Sequence, residues 1–503
     1  MTGNRPPNIL CVVMDTVRAE DFPGGPRPVT PTPFLDRLQR ESVLYPRAVS
    51  PSSWTIPSHA SLFTGLYPWD HGVHNRQDIR LAPSLPTTAE ILRPAGYRSA
   101  ALSANFLLGP ESGLSRGFDL VAWGEWWEGY LRGIRPLRPP HVFRLGDPPP
   151  VQPAEARRGR RWQVVRSMAP LLHRYPGVLD AAGRSLGRLI GRAPSDADGG
   201  HVASWIEPAL SDFVKAQAPE SPVYVFVNLL EAHEPYFPTH EVAPRFTDWV
   251  KYARVRQDRH GWLSKAWDPE PGAMERLRAM YRASVRSLDE RVRRLVNVFE
   301  EAGRWENTLM VLTSDHGQAL GEHDLFFHML QVDEAEVRVP LWVRWPHGES
   351  AGTTARGWAS LVDVLPTIAE AAGVVPPVLP RTVPLSKLMG DDRRGPVFSI
   401  ADGILSDPML RGLEGERRHA FDRVWVAAYA GDWKLTLDAE QDTPHAYRID
   451  RDPGELDDLW SPANPTLEPL VTSARDVGRR MQGTRPAALT DETEARLRAW
   501  GYL

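Results

Sequence analysis

Two short apolar runs in distant parts of the chain each end on side chains that bind cations, and this pairing constrains the fold more than any other feature. The first, Asn8-Ile9-Leu10-Cys11-Val12-Val13-Met14-Asp15, is a β-branched run of the kind that forms a buried strand, and it closes on a carboxylate. The second, Leu309-Met310-Val311-Leu312-Thr313-Ser314-Asp315-His316-Gly317, closes on a carboxylate and an imidazole. In open α/β sheets ligands bind beyond the carboxyl ends of the strands, so Asp15 and the Asp315-His316 pair are expected to converge. A third run, Ser53-Trp54-Thr55-Ile56-Pro57-Ser58-His59, sets a hydroxyl two residues before a proline that opens an apolar, helix-like stretch, Ala60 to Thr64. Alone, this is ordinary helix-start chemistry. Beside two carboxylates and an imidazole, Thr55 completes a hard-to-borderline cation site in which a bound metal would make the hydroxyl more nucleophilic.

Strand-like and helix-like segments alternate from Asn8 to about Phe118, as a parallel α/β sheet requires. From Val121 to Ser195 the pattern breaks into an insertion with a Trp-rich start (Trp123, Trp126, Trp127), a Pro-rich stretch and an arginine-dense helical stretch. Between Leu131 and Ser195 thirteen arginines stand against three acids. That is either a solvated helix face or a basic lid over an anionic substrate, with the tryptophans packing on it. The alternation resumes with a helix at Ile206 to Ala216, a strand at Val223 to Leu230 and a long amphipathic helix over roughly Ala273 to Glu301. After a Pro-rich link at Pro376 to Pro384, strands are expected around Val397, Val424 to Ala430, Trp433 to Leu437 and Tyr447 to Ile449. We divide the chain into a catalytic α/β domain, 1–390, and a C-terminal subdomain, 391–503.

The formal net charge is -4, which gives no global signal for nucleic acid. The apolar run after Met1-Thr2-Gly3-Asn4-Arg5-Pro6-Pro7 is too short for a membrane span, and one cysteine allows no internal disulfide. A cytoplasmic protein without membrane or nucleic-acid partners is therefore expected.

The chain resembles the sulfatase branch of the alkaline phosphatase superfamily over most of its length. The residues that carry the likeness are Asp15-Thr16-Val17-Arg18, Thr30 to Leu38, Trp54 to Pro68 with His71-Gly72-Val73, and His233-Glu234-Pro235-Tyr236. They continue with Ser314 to Gly317, Gly321-Glu322-His323, Val339-Pro340-Leu341, Asp363 to Thr367 and Asp452-Pro453-Gly454-Glu455. The resemblance implies a large, mostly parallel central sheet flanked by helices, with a small C-terminal antiparallel sheet.

Departures from the family pattern redirect the chemistry. Sulfatases of this family carry a Cys or Ser, oxidised to formylglycine, in a Cys/Ser-x-Pro-x-Arg context; here Thr55 stands at that position and His59 replaces the arginine, while Cys11 lies inside the first strand. Formylglycine is not expected. A phosphorylated threonine is released by attack of water at phosphorus, as in the Thr-nucleophile phosphodiesterases and phosphoglycerol transferases of the superfamily, whereas a sulfated threonine has no elimination route. Phosphoryl chemistry on a phosphoester, phosphodiester or phosphonate is favoured over a sulfate ester, with hydrolysis and transfer to another alcohol both open. Thr16 replaces the second carboxylate of an Asp-Asp pair, and near the family's Gly-Lys-Trp-His pattern stands Leu102-Ser103-Ala104-Asn105.

The resemblance implies one divalent ion (Mn, Mg, Zn or Ca) bound by Asp15, Thr55, Asp315 and His316, with Glu231, His233, His323 and His328 as spare ligands for a second. Thr55 would attack in line, His233 or His328 would protonate the leaving oxygen of an anionic small-molecule ester, and Arg18 and Asn105 would contact its oxyanions. Structural readings stand beside these: Arg18 pairing with Glu20 or Asp21 at the surface, His59 packing under the helix start, and Lys434 as a strand-edge lysine. A binding protein that kept the fold without catalysis is the reading of another class.

Overall fold

The computed structural model describes residues 5–74, 79–124, 141–144, 204–236, 252, 255–257, 262, 269–329, 331–390, 395–403 and 421–482. Its strands in chain order are β1 (Asn8–Met14), β2 (Val43–Leu44), β3 (Ala48–Val49), β4 (Arg98–Ser103), β5 (Leu120–Trp123), β6 (His141–Arg144), β7 (Val223–Leu229) and β8 (Thr308–Thr313). They continue as β9 (Ala319–Leu320), β10 (Phe326–Phe327), β11 (Leu341–Arg344), β12 (Ala359–Ser360), β13 (Val397–Ala401), β14 (Trp425–Ala430), β15 (Trp433–Asp438) and β16 (Thr443–Arg448).

β1 is apolar on both faces because both faces are covered. Its residues alternate between two cores: Leu10, Val12 and Met14 pack with the helices Ile206–Lys215 and Ala273–Glu301, whereas Ile9, Cys11 and Val13 pack with Thr55–Thr64 and Val364–Ala372. β1 lies inside an eight-stranded sheet of order β2-β11-β8-β1-β7-β4-β5-β6. The central run β8-β1-β7-β4-β5 is parallel throughout, so its strands end on one side of the sheet. Antiparallel strands β11, β2 and β6 close the two margins. The parallel order is what brings remote strand ends together.

The break expected from Val121 begins later. Val121 to Trp123 belong to β5, and Trp123 packs half-buried against the core under the sheet. Trp126, Trp127 and the arginines between 157 and 161 lie outside the described residues. Among the described residues no helix is long and apolar enough to cross a membrane.

β13 to β16 form a separate four-stranded antiparallel sheet, covered by the helix Glu468–Gln482 through Leu470, Val471, Ala474, Val477 and Met481. The last strand starts earlier than the pattern suggested, at Thr443 instead of near Tyr447. Pro444 hid it; a proline is tolerated there because β16 is an edge strand. Lys434 lies on β15, an internal strand, and is fully buried, so the strand-edge reading fails.

Candidate active site and metal centre

Four adjacent parallel strands deliver the polar residues of one buried site. Asp15 follows β1, Asp315 and His316 follow β8, His233 and Glu234 follow β7, and Asn105 follows β4. Thr55 opens the helix Thr55–Thr64, all of whose residues are buried and whose C-terminus is capped by Gly65 at φ 68°. The Ser58 hydroxyl donates to the Asp315 carbonyl at 2.6 Å and so fixes the helix start to the strand end; the Ser50 hydroxyl donates to the same carbonyl.

The geometry calls for a cation. His316 Nδ1 lies 2.8 Å from the Gly317 carbonyl, which can only accept, so the ring proton is on Nδ1 and the Nε2 lone pair faces inward. Nε2 stands 3.2 Å from Thr55 Oγ1, 3.5 Å from Asp315 Oδ2 and 4.0 Å from Asp15 Oδ1. Those two carboxylate oxygens are buried and, among the described residues, have no hydrogen-bond partner. Two unpartnered carboxylate oxygens and an imidazole lone pair thus converge, an arrangement that burial penalises and a metal ion resolves. Burial, then the neighbouring Asp315, push Asp15 up to about 6; burial pushes Asp315 up to about 7 and His316 down. Asp15, Asp315, His316 and the Thr55 hydroxyl therefore fit a divalent cation in donor type and burial.

The outer oxygens are held. Asp15 Oδ2 accepts from Asn105 Nδ2 at 3.0 Å and Asn228 Nδ2 at 3.4 Å. Asp315 Oδ1 accepts from the backbone N–H of His316 at 2.9 Å and of Thr16 at 3.3 Å. Thr16 has φ 62°, a left-handed backbone costly for a β-branched residue, and turns its hydroxyl away to the Ala232 carbonyl. Its backbone N–H helps to hold Asp315 Oδ1. His59 sits under the helix start, with Nδ1 2.8 Å from the Thr55 carbonyl and 3.6 Å from Asp315 Oδ2.

A second group abuts the first. His233, Glu234 and His328 are buried with ligating atoms within 4.8 Å of one another. The His328 ring lies 4.5 Å from that of His316 and 5.3 Å from that of His233. Burial alone would lower the pKa of His233, but the carboxylates of Glu234 and Asp15 outweigh it and raise it. That favours its protonated form.

Several expectations change. Glu231 does not join this group: its carboxylate lies 2.8 Å from the guanidinium of fully buried Arg291. His323 is exposed and stands with Asp333 and Glu455, away from His233 and His328. Arg18 is buried and faces Glu322 at 3.0 Å, Asp21 at 3.4 Å and Glu20, so its guanidinium is paired with acids. Asn105 orients Asp15. Sequence reasoning missed Glu234 and Asn228; the signal for Asn228 was a lone amide in the apolar strand Val223–Leu229.

The sulfatase family model matches residues 7–374. The chain belongs to the sulfatase family. This sulfatase-family chain is 26% identical over 499 residues to the choline-sulfatase of Rhizobium meliloti, covering 94% of this chain and 86% of that one. It is 25% identical over 401 residues to a multifunctional alkaline phosphatase superfamily protein of Trinickia caryophylli, covering 73% of this chain and 74% of that one. Among solved structures it superimposes on the phosphonate monoester hydrolase of Agrobacterium radiobacter with a TM-score of 0.63 at 17% identity, over 95% of this chain and 96% of that one, a likeness of fold. The sulfatase-family chain is an ester hydrolase of the alkaline phosphatase superfamily.

Proposed function

We propose that this enzyme cleaves a phosphoester, phosphodiester or phosphonate ester through a covalent intermediate on Thr55. The observation that carries the reading is the threonine hydroxyl 3.2 Å from His316 Nε2 at the inner end of a buried carboxylate pair. The one cysteine cannot substitute for it: Cys11 is fully buried inside β1, and burial pushes its thiol up to about 12.

Asp15, Asp315, His316 and Thr55 would hold one divalent ion (Mn, Mg, Zn or Ca), which when bound neutralises charge and makes the hydroxyl more acidic. The N-terminus of the helix Thr55–Thr64 adds its partial positive charge beside the anion. Thr55 Oγ1, its proton lost to solvent, attacks phosphorus in line, and the bond to the leaving oxygen breaks. His328 or His233 delivers a proton to that oxygen, then takes one from the water, or from the alcohol in a transfer, that attacks phosphorus of the Thr55 ester and breaks its Oγ1–P bond.

The grouping of His233, Glu234 and His328 favours a second reading for these residues, a second cation that would assist the leaving oxygen in place of a proton. A sulfate ester remains the alternative substrate. Matched phosphodiester, phosphonate and sulfate esters carrying the same leaving group test the reaction class. The proposal expects the phosphorus esters to turn over faster and Thr55→Ala to abolish that turnover; preferential sulfate hydrolysis would overturn it.

A further inference from the structure

Lys434 is a buried cation outside the site, and its contacts lead back to it. From β15 its ammonium donates to the Val332 carbonyl at 2.6 Å and lies 2.6 Å from Glu455 Oε1 and 3.4 Å from Glu334 Oε1. The other oxygen of Glu455 accepts from the Glu334 backbone N–H at 2.6 Å, and Tyr429 on β14 donates to Glu334 Oε1 at 2.7 Å. The C-terminal sheet and the loop after its last strand therefore grip the stretch Val332 to Glu334 at a carbonyl, an N–H and a carboxylate. Glu455 sits at φ 55°, a backbone region that non-glycine residues enter at a cost, and these contacts hold it there.

The gripped stretch lies between two catalytic elements. Four residues before Val332 is His328, whose ring contacts those of His316 and His233; its neighbour Met329 donates its N–H to the Ser53 carbonyl, two residues before Thr55. Two residues after Glu334 the Glu336 carbonyl accepts from Gly317 N–H at 2.7 Å, and Gly317 is the residue that fixes the His316 ring. A buried ion pair is weak evidence for stability, because an apolar side chain of similar volume often serves as well. What an apolar side chain could not do is hold Val332, Glu334 and Glu455 in one register.

We propose that Lys434 is a positioning residue that acts through the Val332 to Glu334 stretch to set His328 against the leaving group, making the C-terminal sheet part of the catalytic apparatus. The proposal rests on the reading of His328 as a leaving-group acid.

The test uses the full chain with metal bound and aryl phosphodiesters whose leaving phenols range from acidic to weakly acidic. A misplaced acid matters little for 4-nitrophenol, which leaves unaided, and much for unsubstituted phenol. Lys434→Met is expected to keep kcat/KM for the 4-nitrophenyl ester within about threefold and to lose about tenfold or more of kcat/KM on the phenyl ester, the parameter that reports departure of the phenol, with Lys434→Arg partly restoring it. His328→Gln is measured in parallel and should show the same dependence more strongly. If His328→Gln shows it and Lys434→Met does not, the positioning proposal is overturned while the acid reading stands. If His328→Gln shows none, the acid reading fails and the proposal with it. Should Lys434→Met not fold, Glu455→Gln loosens the same grip with a smaller change and carries the same expectations.

Discussion

The Thr55 hydroxyl stands 3.2 Å from Nε2 of His316, across 261 residues of sequence. One residue opens a buried helix and the other follows a central parallel strand, so the fold rather than local sequence makes the pair. Replacing Thr55 by Ala should leave folding intact and reduce turnover on the order of 10⁴-fold or more, as removal of a nucleophile does. Thr55→Ser keeps a hydroxyl and should retain measurable activity. Steady-state kinetics on the metal-loaded variants check both, and near-native turnover by Thr55→Ala would refute the nucleophile assignment.

Asn105 holds the outer oxygen of Asp15 while the inner one faces the site. Asn105→Ala should weaken metal affinity by about 10- to 100-fold, the usual effect of losing a residue that orients a ligand. Chelator competition followed by metal analysis measures it. Unchanged affinity would mean that Asn228 suffices, or that Asp15 is not a ligand.

His71 predicts an acid-sensitive fold. Its Nδ1 accepts from the Val73 N–H, its Nε2 meets the Ser61 hydroxyl, and burial followed by the neighbouring His74 push its pKa down to about 3. The native state therefore resists a proton that the unfolded chain takes up below about 6.5, and stability is lost as pH falls from there toward 3, by roughly 1.4 kcal/mol per pH unit. His71→Gln removes this liability, so its stability deficit at pH 7 should shrink by about 2 kcal/mol at pH 5. Denaturant titrations at the two pH values would expose a constant deficit as contrary.

Arg291 is fully buried between Glu207 and Glu231. Arg291→Met would strand two acids and should destabilise the protein by about 3–5 kcal/mol, while the folded fraction keeps its metal content. Metal loss in parallel with Glu231→Gln would restore Glu231 as a ligand.

Much of the architecture was legible because the apolar runs ending on Asp15 and on Asp315-His316 demand a strand covered on both faces, and parallel neighbours then share a ligand-bearing end. Thr55, Asp15, Asp315 and His316 do meet. What could not be read was which side chain faces which partner. Glu231 and Glu234 are three residues apart in one loop, yet one is drawn to Arg291 and the other lies against His233 and His328. Arg18 carried a family position but stands among three acids that only the fold assembles. Lys434 looked like an edge lysine until β16 supplied the neighbour that makes β15 internal.

The central claim is a covalent phosphorus ester on Thr55. Incubating the metal-loaded enzyme briefly with an aryl phosphodiester, quenching in acid and sequencing the modified peptide by high-resolution mass spectrometry reads it directly. The account predicts an adduct on Thr55, the phosphoryl group still bearing the diester's second substituent, that is absent from Thr55→Ala and accumulates in His328→Gln, where attack of water on it is slowed. An adduct on another residue, a sulfuryl adduct in preference when sulfate esters are offered, or rapid turnover with no adduct in His328→Gln would contradict it.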